Sequence, residues 1–151
     1  MVNYTFLCQQ LLSLTEGIPY KIANLANASA LLWQELPEIN WAGFYVMEDG
    51  ALVLGPFQGK TACIRIPVGK GVCGTAVAEN AAQLVPDVHA FPGHIACDSA
   101  SESEIVIPIR NGKKIYGVLD IDSPIKGRFS EEDLNGLTRF VEILEKALFS
   151  E

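Results

Sequence analysis

A chain of 151 residues with 49% hydrophobic residues has the size of one ordinary domain and enough apolar mass for a core that needs no disulfide staple. Its 11 basic and 18 acidic residues leave a net charge of −7, which argues against a nucleic-acid binder, because such a protein needs a basic face to replace counterions. The longest apolar runs, Ile105–Ile109 and Ile115–Leu119, are strand-sized and too short to cross a bilayer. Met1-Val2-Asn3-Tyr4 does not open a secretory signal, so the expected location is cytoplasmic, where cysteines are more often reduced, catalytic or metal-binding than structural.

Residues 2–15 carry Tyr4, Leu7, Cys8, Leu11 and Leu12 at helical spacing, and Gly17 and Pro19 end that segment. Residues 20–35 predict a second helix with Ile22, Leu25, Ala26, Ala28, Leu31 and Leu32 on its apolar side. The period then changes. Trp41–Met47 and Leu52–Phe57 read as strands around Glu48-Asp49-Gly50, Cys63–Val68 as a third strand, and Gly74–Asn80 as a short helix. Residues 86–103 are polar and aperiodic, and a loop of that length inside a domain is usually functional. Glu104–Arg110 and Lys113–Asp122 are strands joined by Asn111-Gly112. Ser130 and Asp133 form a capping box for a last helix striped by Leu134, Leu137, Val141, Leu144 and Leu148. This order predicts an α+β fold, an antiparallel sheet with helices packed on one face.

Four cysteines occur. Cys8 sits on an apolar helix stripe and reads as a small buried hydrophobe. Cys63, Cys73 and Cys97 lie near element ends with no CxxC spacing, and Cys97 lies in the polar loop, where a thiolate is accessible. A metal site is disfavoured, because only His94 and Cys97 approach zinc-ligand spacing, and both His89 and His94 read as surface or loop residues. Gly69-Lys70-Gly71-Val72-Cys73-Gly74 matches G-x-G-x-x-G, but no βαβ unit follows. It reads as a tight turn into a helix whose N–H groups can hold a small anion.

Asp120 and Asp122 alternate on an otherwise apolar strand and so share a face. Either that face is solvated or the pair binds an ammonium group or supplies protons. A two-residue turn at Asn111-Gly112 pairs Glu104 with Leu119 and puts Glu104 on the opposite face. Glu104 joins the aspartates only if Pro108 marks a bulge or if Glu104 still belongs to the loop. Trp41 and Tyr45 share a face of their strand, as core or as the wall of an apolar pocket.

The segments Asn40-Trp41-Ala42-Gly43-Phe44-Tyr45, Leu54-Gly55-Pro56-Phe57-Gln58-Gly59, Gly69–Gly74 and Gly117-Val118-Leu119-Asp120-Ile121-Asp122-Ser123-Pro124 resemble the free methionine-(R)-sulfoxide reductases, stand-alone GAF-domain enzymes, over essentially the whole chain. The resemblance implies a single GAF domain over 1–151, with helices on one side of a central antiparallel sheet and a ligand pocket on the other. It implies Cys97 as nucleophile, Cys63 as resolving cysteine and Cys73 as auxiliary thiol. It also implies Glu104, Asp120 and Asp122 as substrate-binding acids and Trp41 and Tyr45 as the aromatic wall at the methyl end. No bound cofactor or metal is implied. The reductant is an external dithiol, thioredoxin, the substrate is free methionine sulfoxide, and a homodimer is compatible with the family. The alternatives are a non-catalytic GAF module binding a cyclic nucleotide or other small ligand, and, ranked below it, a structural interaction protein.

Overall fold

The computed structural model describes residues 2–94 and 99–150. Helix α1 spans Tyr4–Thr15; the Asn3 side chain caps it by accepting from the Phe6 N–H. Helix α2 spans Lys21–Glu35. Strands β1 (Trp41–Glu48) and β2 (Ala51–Gly59) form a hairpin whose two-residue turn, Asp49-Gly50, holds both residues at positive φ, the backbone that matches strand twist. Strand β3 (Arg65–Pro67), helix α3 (Gly71–Glu79) and strand β4 (Gln83–Val85) follow. A 3₁₀ turn at Val88–Ala90 leads towards β5 (Ser103–Asn111), β6 (Lys114–Ser123) and α4 (Glu131–Phe149).

The six strands form one sheet in the order β3-β2-β1-β6-β5-β4, with every neighbouring pair antiparallel. Period-two alternation sorts the side chains. Phe44 of β1, Ile105, Ile107 and Ile109 of β5, and Leu119 and Ile121 of β6 point to one face, where Leu7, Leu11, Leu25, Leu32, Leu137, Phe140 and Leu144 of α1, α2 and α4 cover them. The opposite residues of the same strands form a second, smaller cluster with α3. Among the described residues, α3 is therefore the one α-helix on the pocket side.

The α4 capping box is present: Ser130 Oγ accepts from the Asp133 N–H while Asp133 accepts from the Ser130 N–H. Asp133 also accepts from Tyr4 Oη at 2.5 Å, tying α1 to the start of α4. No helix among the described residues is long and apolar enough to cross a membrane.

Several expected boundaries move. Ile22 and Ala26 of α2 and Leu12 of α1 are exposed. Asn24 and Ser29 are buried in place of the two α2 residues, and they can be because their side chains donate to the Ile18 and Ala26 carbonyls. The third strand shrinks to Arg65–Pro67, an edge strand paired only with β2, which leaves Cys63 in the preceding loop. Helix α3 starts three residues earlier than expected and takes Cys73 into its first turn. The glycine motif explains this start. Gly71 takes φ +61, and a Cβ on Gly74 would stand 2.4 Å from the Pro67 carbonyl oxygen. The motif is thus a turn closed against β3, as expected, and not a dinucleotide fingerprint.

Candidate active site

The site is built on the second face of the sheet, and strand register decides its membership. Strand β5 pairs with β6 through Asn111↔Lys114 and Arg110↔Ile115, so Gly112-Lys113 forms the turn in place of Asn111-Gly112. Moving the turn leaves Glu104 on the face opposite the aspartates. The register then shifts between Arg110↔Ile115 and Ile109↔Gly117, which makes Tyr116 the extra residue of a bulge. That single insertion flips the face. Glu104 pairs with Asp122, and both share a side with Asp120. The bulge that joins the acids is at Tyr116; Pro108 lies in regular register opposite Val118.

Two cross-strand rows result. Trp41, Asp122 and Glu104 stand abreast on β1, β6 and β5, and Gly43, Asp120 and Val106 form the next row. A Cβ on Gly43 would lie 2.9 Å from Trp41 Cη2 and 2.3 Å from Phe57 Cβ. Glycine there lets the indole lie over the backbone beside Asp120. The indole stacks on Phe57 (centroids 5.1 Å apart) and Tyr45 (5.8 Å), and its Nε1 donates to the Lys60 carbonyl at 3.1 Å. Tyr45 Oη donates to the Cys63 carbonyl at 2.9 Å, so the aromatic wall also fixes the loop carrying that cysteine.

Trp41, Tyr45, Glu104, Asp120 and Asp122 line a pocket of about 530 Å³ counting its open mouth, closed on other sides by Thr61, Ala62, Ile66, Gly71, Val72, Cys73, His94 and Ser101. Helix α3 opens on this pocket with no side chain capping it, so the first-turn N–H groups are placed to receive an anion. Cys73 Sγ and carboxylate oxygens of Glu104 and Asp120 lie within 4.8 Å of one another. Cys73 and Cys8 are free thiols, whereas Cys63, half-buried in its loop, is disulfide-bonded. Cys97 lies outside the described residues.

Burial sets the electrostatics. Glu104 and Asp120 are 6% and 5% exposed. Glu104 is pushed well above the usual carboxylate range by burial first, then by the charges of Asp120 and Asp122. Asp120 is also raised by burial, partly offset by hydrogen bonds from Glu104, Cys73 and Asp122. Like charges this close in a poorly solvated site cannot all be ionised. The site therefore offers negative charge for a cation and, beside it, a neutral carboxyl able to donate a proton. The Cys73 thiol is held well above its ordinary value by burial, then by Asp120 and Glu104, which keeps it protonated and unreactive.

Chain comparisons give this geometry a family. The model of the GAF domain matches residues 15–148. The free methionine-R-sulfoxide reductase of Escherichia coli (strain K12) is 64% identical over 127 residues, which are 84% of this chain and 77% of that protein. The chain belongs to the free methionine-R-sulfoxide reductases, a GAF-domain family. The structure of fRMsr of Staphylococcus aureus in its reduced form superposes with a TM-score of 0.96 at 56% identity, covering 99% of this chain and 97% of that one. The free methionine-R-sulfoxide reductase of Neisseria meningitidis, solved in complex with its substrate, gives a TM-score of 0.93 at 43% identity, covering 95% and 87% of the two chains. The expected GAF fold, with an antiparallel sheet, helices on one face and a pocket on the other, holds.

Five of the expected site residues, Trp41, Tyr45, Glu104, Asp120 and Asp122, line one pocket with Cys73. Cys63 is joined to the pocket wall through Tyr45. His94 had read as an ordinary loop residue. It lines the pocket, with Nε2 3.8 Å from Glu104 Oε1. No local pattern marks it; only its place three residues before Cys97 hints at a shared site.

Proposed function

We infer that this protein reduces free methionine-(R)-sulfoxide to methionine with electrons from thiols, as an oxidoreductase of the family to which it belongs. The observation that carries this is the row Trp41–Asp122–Glu104 beside Asp120, an aromatic wall abreast of buried acids. A free amino acid brings an ammonium group to the acids and a carboxylate to the open end of α3. Its methyl–sulfur end suits the Trp41 and Tyr45 rings. A cyclic nucleotide brings no ammonium group to answer three carboxylic side chains, which disfavours a sensory GAF module.

Glu104, held neutral, donates its proton to the sulfoxide oxygen and makes the sulfur electrophilic. The thiolate of Cys97 attacks that sulfur, methionine leaves, and the oxygen remains on Cys97 as sulfenic acid. Cys63 condenses with it, releasing water and forming a disulfide. Thioredoxin, a dithiol, reopens that disulfide by exchange. A disulfide at Cys63 with Cys73 and Cys8 free supports this division, and the raised thiol of Cys73 suits an auxiliary role. The thiols supply all the electrons, so no bound cofactor or metal enters the scheme. Taking 1–151 as one GAF domain is supported by the packing of Tyr4 on Gly136 and Asp133, which ties α1 into the matched region. A reducing cytoplasm suits the cycle. Phe6, Leu12 and Leu14, exposed on α1, support a homodimer through that helix, which sedimentation equilibrium tests.

Incubation with each epimer of free methionine sulfoxide and dithiothreitol tests the activity. The R epimer is consumed and the S epimer is not; an inert R epimer overturns the assignment. Cys97→Ser abolishes all turnover, and Cys63→Ser completes one turnover without efficient recycling by thioredoxin.

A further inference from the structure

The pocket carries an imbalance of charge types. Its described lining holds three carboxylic side chains, Glu104, Asp120 and Asp122, and one thiol, Cys73. The described lining contains no lysine or arginine, and His94 is its single side chain able to carry positive charge. His94 approaches Glu104, the acid abreast of Asp122 and Trp41, with Nε2 3.8 Å from Oε1. That distance is too long for a hydrogen bond and short enough for one to form when a side chain turns.

Glu104 is enclosed on the sheet between Val85 of β4 and Asp122 of β6. His94 stands on the loop side of the pocket, with its side chain 15% exposed. The groups that face it are Glu104 from β5, Asp120 and Asp122 from β6, Cys73 from α3 and Tyr45 from β1, with His89 nearby on the 3₁₀ turn. His89 is itself paired to Glu102 at 2.7 Å. Burial first, then the proximity of His89, lowers the His94 titration, and Asp120 opposes them, so the resting ring is the neutral imidazole.

We propose that His94 is a positioning residue that acts through Glu104, returning to that carboxyl the proton it gives to the sulfoxide oxygen. This rests on the reductase reading above. When Glu104 protonates the oxygen it becomes a carboxylate. His94 takes up a proton from water at the pocket mouth and passes one from Nε2 to Oε1 of Glu104, which leaves the ring neutral again. Over a full cycle, sulfoxide plus two thiols give sulfide, disulfide and water. The two protons of that water come from the two thiols by way of solvent, and His94 gains or loses none in net.

The experiment is the pH profile of kcat and kcat/KM on the free R epimer for wild type, H94Q and H94A, with dithiothreitol in excess. Turnover by the wild type establishes the reductase reading separately; its absence sinks both claims, whereas wild-type turnover with insensitive variants sinks only this one. In H94Q, kcat falls by about 10²-fold with KM within about twofold, and the alkaline limb assigned to the histidine moves or vanishes. Imidazole in the buffer restores H94A in proportion to its concentration and leaves H94Q unchanged. An H94Q pH profile that superposes on wild type, or a loss confined to KM, overturns the proposal. The thermal midpoint of H94Q reports that the fold is intact, so a misfolded H94A does not remove the test.

Discussion

The two faces of the sheet come from the same strands and obey opposite rules. On the helix side, Phe44, Ile105, Ile107, Leu119 and Ile121 belong to one apolar cluster and are buried almost completely. On the pocket side their immediate neighbours include Tyr45, Glu104, Asp120 and Asp122, which bring charge, a ring stacked on Trp41 and the lining of an open pocket. The first face supplies stability through area removed from water. The second gives stability up, because buried acids are desolvated and repel one another. One residue step along a strand thus separates the groups that hold the fold from those that do its chemistry.

The largest effect expected from breaking this contrast is on the apolar face. Leu119→Ala leaves a cavity in the core between the sheet and its covering helices and costs about 2–5 kcal/mol, read by denaturant unfolding. If the loss stays below about 1 kcal/mol, the helix face is not the main source of stability. On the pocket face, Asp120→Asn removes one charge from the acid group. The expected result is an unchanged or raised thermal midpoint together with a KM for free methionine sulfoxide about 10- to 100-fold higher, the scale of one lost contact to a charged group.

The pH dependence of stability sharpens the contrast further. Glu104 is raised in the folded protein by burial and by its acidic neighbours. Between its ordinary range, about 4.3, and its raised folded value, the native state binds the proton that the unfolded chain has released. Stability therefore falls as pH rises through that window. Glu104→Gln removes this contribution and flattens the decline, measured as the unfolding midpoint from pH 4 upward, on the order of the unfolded carboxylate range. A steeper decline in the variant would show that Glu104 is ionised in the native state. The smallest effect is remote from both faces: Ser130→Ala removes half of the α4 capping box and costs about 1 kcal/mol, with no change in KM.

Much of this was legible in the chain. The α4 stripe and its Ser130–Asp133 cap, the Asp49-Gly50 hairpin and the alternation of Val118, Leu119, Asp120, Ile121 and Asp122 are local signals, and local physics suffices for them. Strand β4 is three residues long and gains its order from pairing with β5, so it had no signal of its own. Cys73 moved into a helix because Gly74 packs against the carbonyl of Pro67, a contact seven residues back that spacing does not reveal.

By itself, the sequence determined the residue types of the site, the two-sided character of the strands and, through its long motifs, the family. Only the tertiary structure decided which of those residues meet. Glu104 reaches Asp120 and Asp122 because one extra residue at Tyr116 shifts the register by an odd number, and in a period-two strand an odd shift exchanges the faces. His94 reaches Glu104 because residues 91–94, which have no periodicity of their own, bring it to that face. Both outcomes depend on contacts between distant segments, which local propensity and pattern do not encode.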